Sequence, residues 1–316
     1  MNNQSFLQVT SQLKNEDFLE KVYCTYLKRD SDIQGKKFFL SQLENDKITR
    51  PEILTSFLTS PEFHLIHNWE KSILEMPDLE IILYHVPKTA GTTFFIALVQ
   101  VYGAEKIAGY LNERIVLSEG VEPKTIKAIQ GHVPARKYFR PGKAKEIIWL
   151  RHPIQRLISL YCYWLSTPPA EEGNNYQSYL RENNLNIVEF AQIPEIRNEM
   201  STYIGGRNLT DFYFVGIQEF FKDDLIDLAK MLNWPEFQIT YENKNKHQDY
   251  NFLLRSIQAD SNIMKQLIAL NSEDLRLYQT ALDMRLKRKQ SNKQVQNLEI
   301  AGMGCNTTSG KWRYIE

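Results

Sequence analysis

The chain has 316 residues, of which 42% are hydrophobic, 12% aromatic and 24% charged, enough to bury a full-sized core in about two ordinary globular domains and too much for a peptide or a stapled mini-domain. Its 38 basic residues balance 38 acidic ones, so no overall field favours nucleic acid, and any anion site has to come from local placement. The three cysteines, Cys24, Cys162 and Cys305, are odd in number and lack CxxC spacing, which argues against a disulfide framework or a zinc site.

Met1 to Leu7 lacks a basic segment followed by an apolar one, and the longest apolar run, Phe94 to Val99, is far shorter than the roughly 20 residues of a membrane helix. The expectation is a cytoplasmic protein with no transmembrane segment. From Asn15 to Asp30, Phe18, Leu19, Val22, Tyr23, Tyr26 and Leu27 recur at the spacing of one buried helix face, with Asn15 as a plausible N-cap. Further helices are predicted around Lys37 to Leu43, after Thr49-Arg50-Pro51-Glu52 and from Ser60-Pro61-Glu62-Phe63, where cap residues precede an early proline. Together these make a small all-helical unit with no cluster of catalytic groups, suited to packing or interaction. Its residues Tyr26, Leu27, Arg29, Asp32, Gly35, Phe39, Ser60, Glu62 and Phe63 resemble the pattern of a small bacterial helical domain of unknown function, which implies architecture more than activity.

Ile81 to Tyr84 is a β-prone run, followed by Pro87-Lys88-Thr89-Ala90-Gly91-Thr92-Thr93 and the apolar stretch from Phe94; this reads as strand, tight loop and helix. Glu146 to Leu150 and Phe212 to Gly216 read as further buried strands, each followed by a helix. The expected fold class is therefore α/β, a parallel sheet flanked by helices. The predicted division is a helical domain over 1–75, the α/β domain over 76–290 and a tail over 291–316. In the tail region Arg285, Lys287, Arg288, Lys289 and Lys293 read as a solvated helix end.

A loop from a buried strand into a helix presents main-chain N–H groups at the positive end of the helix dipole, a ready phosphate site. Lys88, Thr89, Ala90, Gly91, Thr92 and Thr93 occupy such a loop, although Lys88 precedes Gly91 and the chain has no GK[ST], unlike a Walker loop. The strand ending at Leu150 delivers Arg151, with Ser159 two turns into the next helix. A Mg²⁺-dependent enzyme would be expected to place Asp there, whereas an arginine fork and a hydroxyl can take a second phosphate directly. Two phosphate subsites without a metal carboxylate suit adenosine 3′,5′-bisphosphate (PAP), and no metal is expected.

At these residues the chain resembles the carbohydrate sulfotransferases that use 3′-phosphoadenosine-5′-phosphosulfate (PAPS), in the branch that includes heparan sulfate 2-O-sulfotransferase. His85 to Thr93 is similar to the family's 5′-phosphosulfate loop and Arg151 to Tyr161 to its 3′-phosphate motif. Gln130-Gly131-His132 resembles its G-H segment, Asn198 to Gly206 an N-x-x-T-x-x-x-G segment, Phe214 to Phe220 a VGxxE strand, and Leu270 to Tyr278 a closing N-x-x-D-x-x-L-Y helix. The resemblance implies a P-loop-like sulfotransferase fold. It also implies a transferase with PAPS as donor, His132 as general base, Lys88 at the leaving oxygen, residues 88–93 on the 5′-phosphate, and Arg151 and Ser159 on the 3′-phosphate. The acceptor implied is a hydroxyl of a saccharide or glycolipid. Gln130 stands where the heparan enzyme has a histidine, so a second histidine helper is expected to be absent. Leu165 to Glu195, polar and aromatic, is expected to help form the acceptor site, and the helical unit to offer a face to a protein partner. Asn243 to His247 reads as a solvated basic loop. The competing readings are a non-catalytic PAP- or glycan-binding scaffold and a P-loop kinase.

Overall fold

The computed structural model describes residues 3–111, 114–167, 175–239 and 250–300. Six strands, β1 (Ile81–Tyr84), β2 (Ile107–Leu111), β3 (Arg114–Val116), β4 (Ala128–Gly131), β5 (Lys145–Leu150) and β6 (Phe214–Ile217), form one sheet in the order β3-β2-β4-β1-β5-β6. Every pairing is parallel except the β2/β3 hairpin. The expected α/β sheet flanked by helices is therefore present, with three strands, β2, β3 and β4, that the sequence reading did not anticipate.

Alternate strand residues serve opposite faces, as the pleat requires. Ile82, Tyr84, Ile148, Leu150, Val215 and Ile217 pack in one core with Met200, Tyr203 and Tyr278. Ile81, Leu83, Ile147, Trp149 and Phe214 pack in the other with Phe94, Leu98, Leu225 and Leu228. Burial on both faces explains why these strands read as unbroken apolar runs. The connections put His85 to Ala90, His132 and Arg151 just beyond the carboxyl ends of β1, β4 and β5, where open α/β sheets form their ligand crevices.

Ahead of the sheet, helices Asn3–Val9, Asn15–Val22, Ile33–Glu44, Arg50–Leu58 and Pro61–Leu74 enclose a core that includes Phe6, Phe18, Leu19, Val22, Ile53, Leu54 and Phe57. Thr49 forms a capping box with Glu52, and the Ser60 hydroxyl accepts from the Phe63 N–H, as the sequence predicts. Asn15 does not cap its helix. Lys14 holds that position, while the Asn15 carboxamide oxygen accepts from Arg50 Nη2 at 2.8 Å. Pro61–Leu74 joins the two parts of the chain, giving Ile66 to the helical core and Trp69 and Ile73 to the sheet's core.

Arg285, Arg288 and Lys289 correct the expectation of a solvated helix end, while Lys287 is exposed as expected. They lie on the helix Ser272–Ile300, where Arg285 Nε is 2.7 Å and Arg288 Nη2 3.1 Å from buried Asp224 Oδ1, and Lys289 Nζ 2.7 Å from Asp227. Two buried carboxylates on one helix require such partners, because a charge taken out of water alone is strongly unfavourable. Residues 243–247 and 301–316, including Cys305, lie outside the described residues. No helix among the described residues is long and apolar enough to cross a membrane.

Candidate active site

The loop after β1 is shaped by its main chain. Lys88 and Ala90 both have φ of 68°, left-handed values that disfavour a side chain by about 1–2 kcal/mol each and that curl successive N–H groups into a concavity for anions. Thr89, between them, is 1% exposed and its hydroxyl donates to the Val86 carbonyl at 2.7 Å, so this hydroxyl braces the loop. The helix Gly91–Tyr102 starts here, and its first internal bond runs from the Phe94 N–H to the Ala90 carbonyl at 3.1 Å. The amides of Gly91, Thr92 and Thr93 thus precede the helical ladder at the positive end of the dipole. Thr93 is buried and Thr92 exposed.

Two imidazoles flank this loop. His85 donates its main-chain N–H to the Gly131 carbonyl at 2.9 Å, and its own carbonyl accepts from His132 Nδ1 at 2.8 Å. Since a carbonyl only accepts, Nδ1 carries the proton and the lone pair of neutral His132 is on Nε2. The rings stack with centroids 4.4 Å apart and planes at 25°. His85, a histidine from β1 and not from β4, thus packs against His132, while the helper position of the H-G-H pattern holds Gln130. Gln130 donates from Nε2 to the Gly91 carbonyl at 3.0 Å, leaving its buried Oε1 without a partner. The His85 ring also fills the space over Gly91, where an added Cβ would lie 1.9 Å from Nε2.

Burial, and then the neighbouring His132 and Lys88, push the His85 pKa down to about 3, so it is neutral in the working range. Burial also lowers His132, partly offset by its bond to the His85 carbonyl; its ring is crowded by protein while one edge stays open to solvent.

Arg151 reaches back from the end of β5, with Nη1 3.2 Å from the Lys88 carbonyl and Nη2 3.1 Å from the Tyr250 hydroxyl. Its Nε is buried without a partner, a donor available to an acidic ligand. The Lys88 ammonium sits 4.0 Å from the centroid of the Tyr163 ring. Burial, followed by the charge of Arg151, lowers the Lys88 pKa to about 8. Ser159 is 2% exposed on the helix Pro153–Ser166, and no hydrogen bond among the described residues joins it to Arg151 or the loop. It lies one turn before Tyr163, on the face that Tyr163 turns toward Lys88. The structure thus brings Lys88, the 88–93 loop, Arg151 and His132 together, and leaves Ser159 buried in its helix one turn before Tyr163.

Neighbouring segments lock this arrangement. Glu219 accepts from the His152 main-chain N–H at 2.8 Å and from the Tyr278 hydroxyl at 3.1 Å. Asp274 accepts from the N–H groups of Met200 and Ser201, and Asn198 Oδ1 accepts in return from Glu273 and Asp274. Arg156, fully buried, pairs with Glu199, whose pKa is raised by desolvation. Tyr163 and Tyr250 are the site residues that sequence reasoning missed, whereas His85 stands at the head of the loop motif read from the sequence. Helical spacing from Ser159 could have indicated Tyr163; no local signal indicates Tyr250.

The segment expected to form the acceptor site falls partly outside the described residues. Its helix Asn175–Glu182 is tied to the Tyr163-bearing helix by Gln177 Nε2 and Arg181 Nε, which donate to the Trp164 carbonyl at 3.1 and 2.9 Å. Tyr176 and Tyr179, exposed, line a cavity of about 460 Å³ with Leu185, Glu189, Gln192, Ile193 and Pro194.

Comparison with known families gives two matches. The family described as the sulfotransferase family matches residues 72–280, more than half the chain, and a domain of unknown function, DUF4214, matches residues 1–66. No curated protein matches the chain.

Proposed function

The chain belongs to the sulfotransferase family and is a sulfotransferase enzyme, and on that premise we propose that it moves the sulfuryl group of PAPS to a hydroxyl of a saccharide or glycolipid. In this reading residues 1–75 are a helical domain, 76–290 the catalytic domain and 291–316 a tail.

The amides of residues 89–93 and the Lys88 ammonium receive the 5′-phosphosulfate. Arg151, through its unpartnered Nε and its fork, receives the 3′-phosphate, with Ser159 behind it. His132 Nε2 takes the proton of the acceptor hydroxyl as its oxygen bonds to sulfur. The bond from sulfur to the bridging oxygen breaks, its electron pair stays with PAP, and Lys88 meets the charge developing there. Proton transfer to a positioned base is typically worth about 10²–10⁴-fold, and a charge aimed at a developing oxyanion contributes comparably. Sugar rings, with apolar faces, suit the exposed Tyr176 and Tyr179 as acceptor contacts.

One observation carries the reading: the His85 residue is shared, its ring lying over Gly91 of the donor loop and its carbonyl orienting the proposed base. Donor loop and base are thereby held in one register, which an in-line transfer demands. The test is a thermal-shift titration with PAP, ADP and ATP in EDTA, since a ligand at 100 times its Kd stabilises by about 2.7 kcal/mol. PAP is expected to shift the transition, the shift to vanish in Arg151→Ala, and His132→Ala to lose transfer. A shift only with ATP and Mg²⁺ would favour a kinase, and an unchanged transfer rate in His132→Ala would remove the assigned base.

A further inference from the structure

The nine residues after β4 do not run free in solvent. Val133, Ala135 and Phe139 are buried in the sheet's core, and between them Arg136, Lys137 and Tyr138 turn toward the helical unit. Arg136 Nη1 donates to Glu62 Oε1 at 2.9 Å. The Lys137 ammonium and the Tyr138 hydroxyl both donate to the Asp30 carboxylate. The Tyr138 main-chain N–H donates to the Lys28 carbonyl at 3.0 Å. Glu62 also takes a two-pronged pair of bonds from Arg29, Nε at 2.8 Å and Nη2 at 2.9 Å. Burial raises the pKa of Glu62, but Arg29 and Arg136 outweigh it and keep the carboxyl below its ordinary range. The other side of the segment is pinned too. The Ala135 N–H donates to the Tyr203 carbonyl at 2.9 Å, and the Ala135 carbonyl lies so close to Gly205 that a Cβ there would be 1.7 Å away.

We propose that the N-terminal helical unit is a positioning element of the active site, gripping through Asp30 and Glu62 the segment that carries His132. His132 is the first residue of this segment and Arg136 the fifth, so the grip acts within about 14 Å of extended chain. Arg29 and Glu62, two of the residues that give the helical unit its family resemblance, thus have a joint task outside the unit. The bonds of the grip fall on residues 136–138, after His132 and outside residues 88–93 and Arg151, so the grip bears on the segment that carries the base. Glu20, Cys24 and Asp30 also lie close enough together to hold a cation. The carboxylates there are already engaged, Glu20 by Ser31 and Lys36 and Asp30 by Lys137 and Tyr138.

The inference rests on His132 being the base, and its test includes a readout that needs no activity. The full chain carrying Asp30→Asn and Glu62→Gln is compared with the wild type in PAP affinity, in kcat, and in the histidine ring signals of ¹⁵N-histidine-labelled protein, with the His132 signal identified by its loss in His132→Gln. The expected result is unchanged PAP affinity, kcat lowered about tenfold or more as the base drifts, and an altered pH titration of His132. An unchanged His132 titration, or kcat and PAP affinity falling together, overturns the proposal. Should the double variant fail to fold, Tyr138→Phe, which removes one hydroxyl, is read in the same way. A His132 signal that follows the grip in a protein that ignores PAP would instead overturn the donor assignment and leave the grip standing.

Discussion

Replacing Gly91 with alanine tests the site at its tightest point. The added Cβ would sit 1.9, 2.1 and 2.4 Å from Nε2, Cε1 and Cδ2 of His85, against about 3.5–4.0 Å for atoms in ordinary contact. The ring must therefore retreat by about 1.5 Å, and the stacked His132 ring is its neighbour. Overpacking of this kind costs about 1–3 kcal/mol, or several degrees in Tm for a chain of this size. A reactive group misplaced by about 1 Å loses about 10²-fold in rate, so Gly91→Ala is expected to lose both stability and turnover. Circular dichroism melting and initial rates of PAP release measure the two effects. The clash is with a side chain, so His85→Ala should relieve it: in that background Gly91→Ala should cost almost nothing more. Free energies of the two changes that add to within about 0.5 kcal/mol, or a Gly91→Ala protein that melts and turns over like the wild type, would refute the steric account.

Four other predictions rest on the charges around the loop. The pH profile of kcat/KM should be bell-shaped, because it reports the free enzyme: activity falls below the lowered His132 pKa as the base is protonated, and above about 8 as Lys88 loses its proton. Tyr163→Leu, which keeps Lys88 covered but removes the ring that stabilises its charged form, should move the alkaline limb to lower pH; a limb that stays in place would deny Lys88 that role. His85 has a folded pKa of about 3 against about 6.5 unfolded, so its contribution is fully present above 6.5 and lost as pH falls from there toward 3. Linkage puts the loss at about 2 kcal/mol by pH 5, and urea midpoints at pH 7.5 and 5.0 should show it in the wild type and not in His85→Gln. Arg151→Lys should weaken PAP binding about 10²-fold, because an ammonium cannot keep the fork to the Lys88 carbonyl and Tyr250 while serving a phosphate; near-normal affinity by titration calorimetry would show that charge alone suffices.

The fold class and the sulfotransferase family were legible in the sequence. β1, β5 and β6 are buried on both faces, so their apolar runs announce themselves, and the Thr- and Gly-bearing loop that leads from β1 into a helix is marked by its own residues. Thr49 and Ser60 mark helix starts because capping is a contact over three residues. These are local effects, written at short spacing. β2 and β4 are short, contain glycine and, in β4, a glutamine, and owe their strand form to the neighbours on either side; no periodicity within four or five residues could reveal them. The pairing of His85 with His132, 47 residues apart, and the hold of Arg151 on Tyr250 depend on which strand ends lie side by side, which the strand order decides. The same holds for Arg285 and Arg288, which read as solvent-facing until Asp224 is seen buried beneath them, and for Asp30 and Glu62, whose partners in the segment after β4 lie more than 70 residues away. Sequence alone determined the fold class and the strand, loop and helix that follow one another at residues 81–102, because both follow from short-range pattern. Only the tertiary structure decided which nitrogen of His132 carries the proton, what packs against its ring and where the helical unit touches the segment after β4, because those answers are contacts between residues distant in the chain.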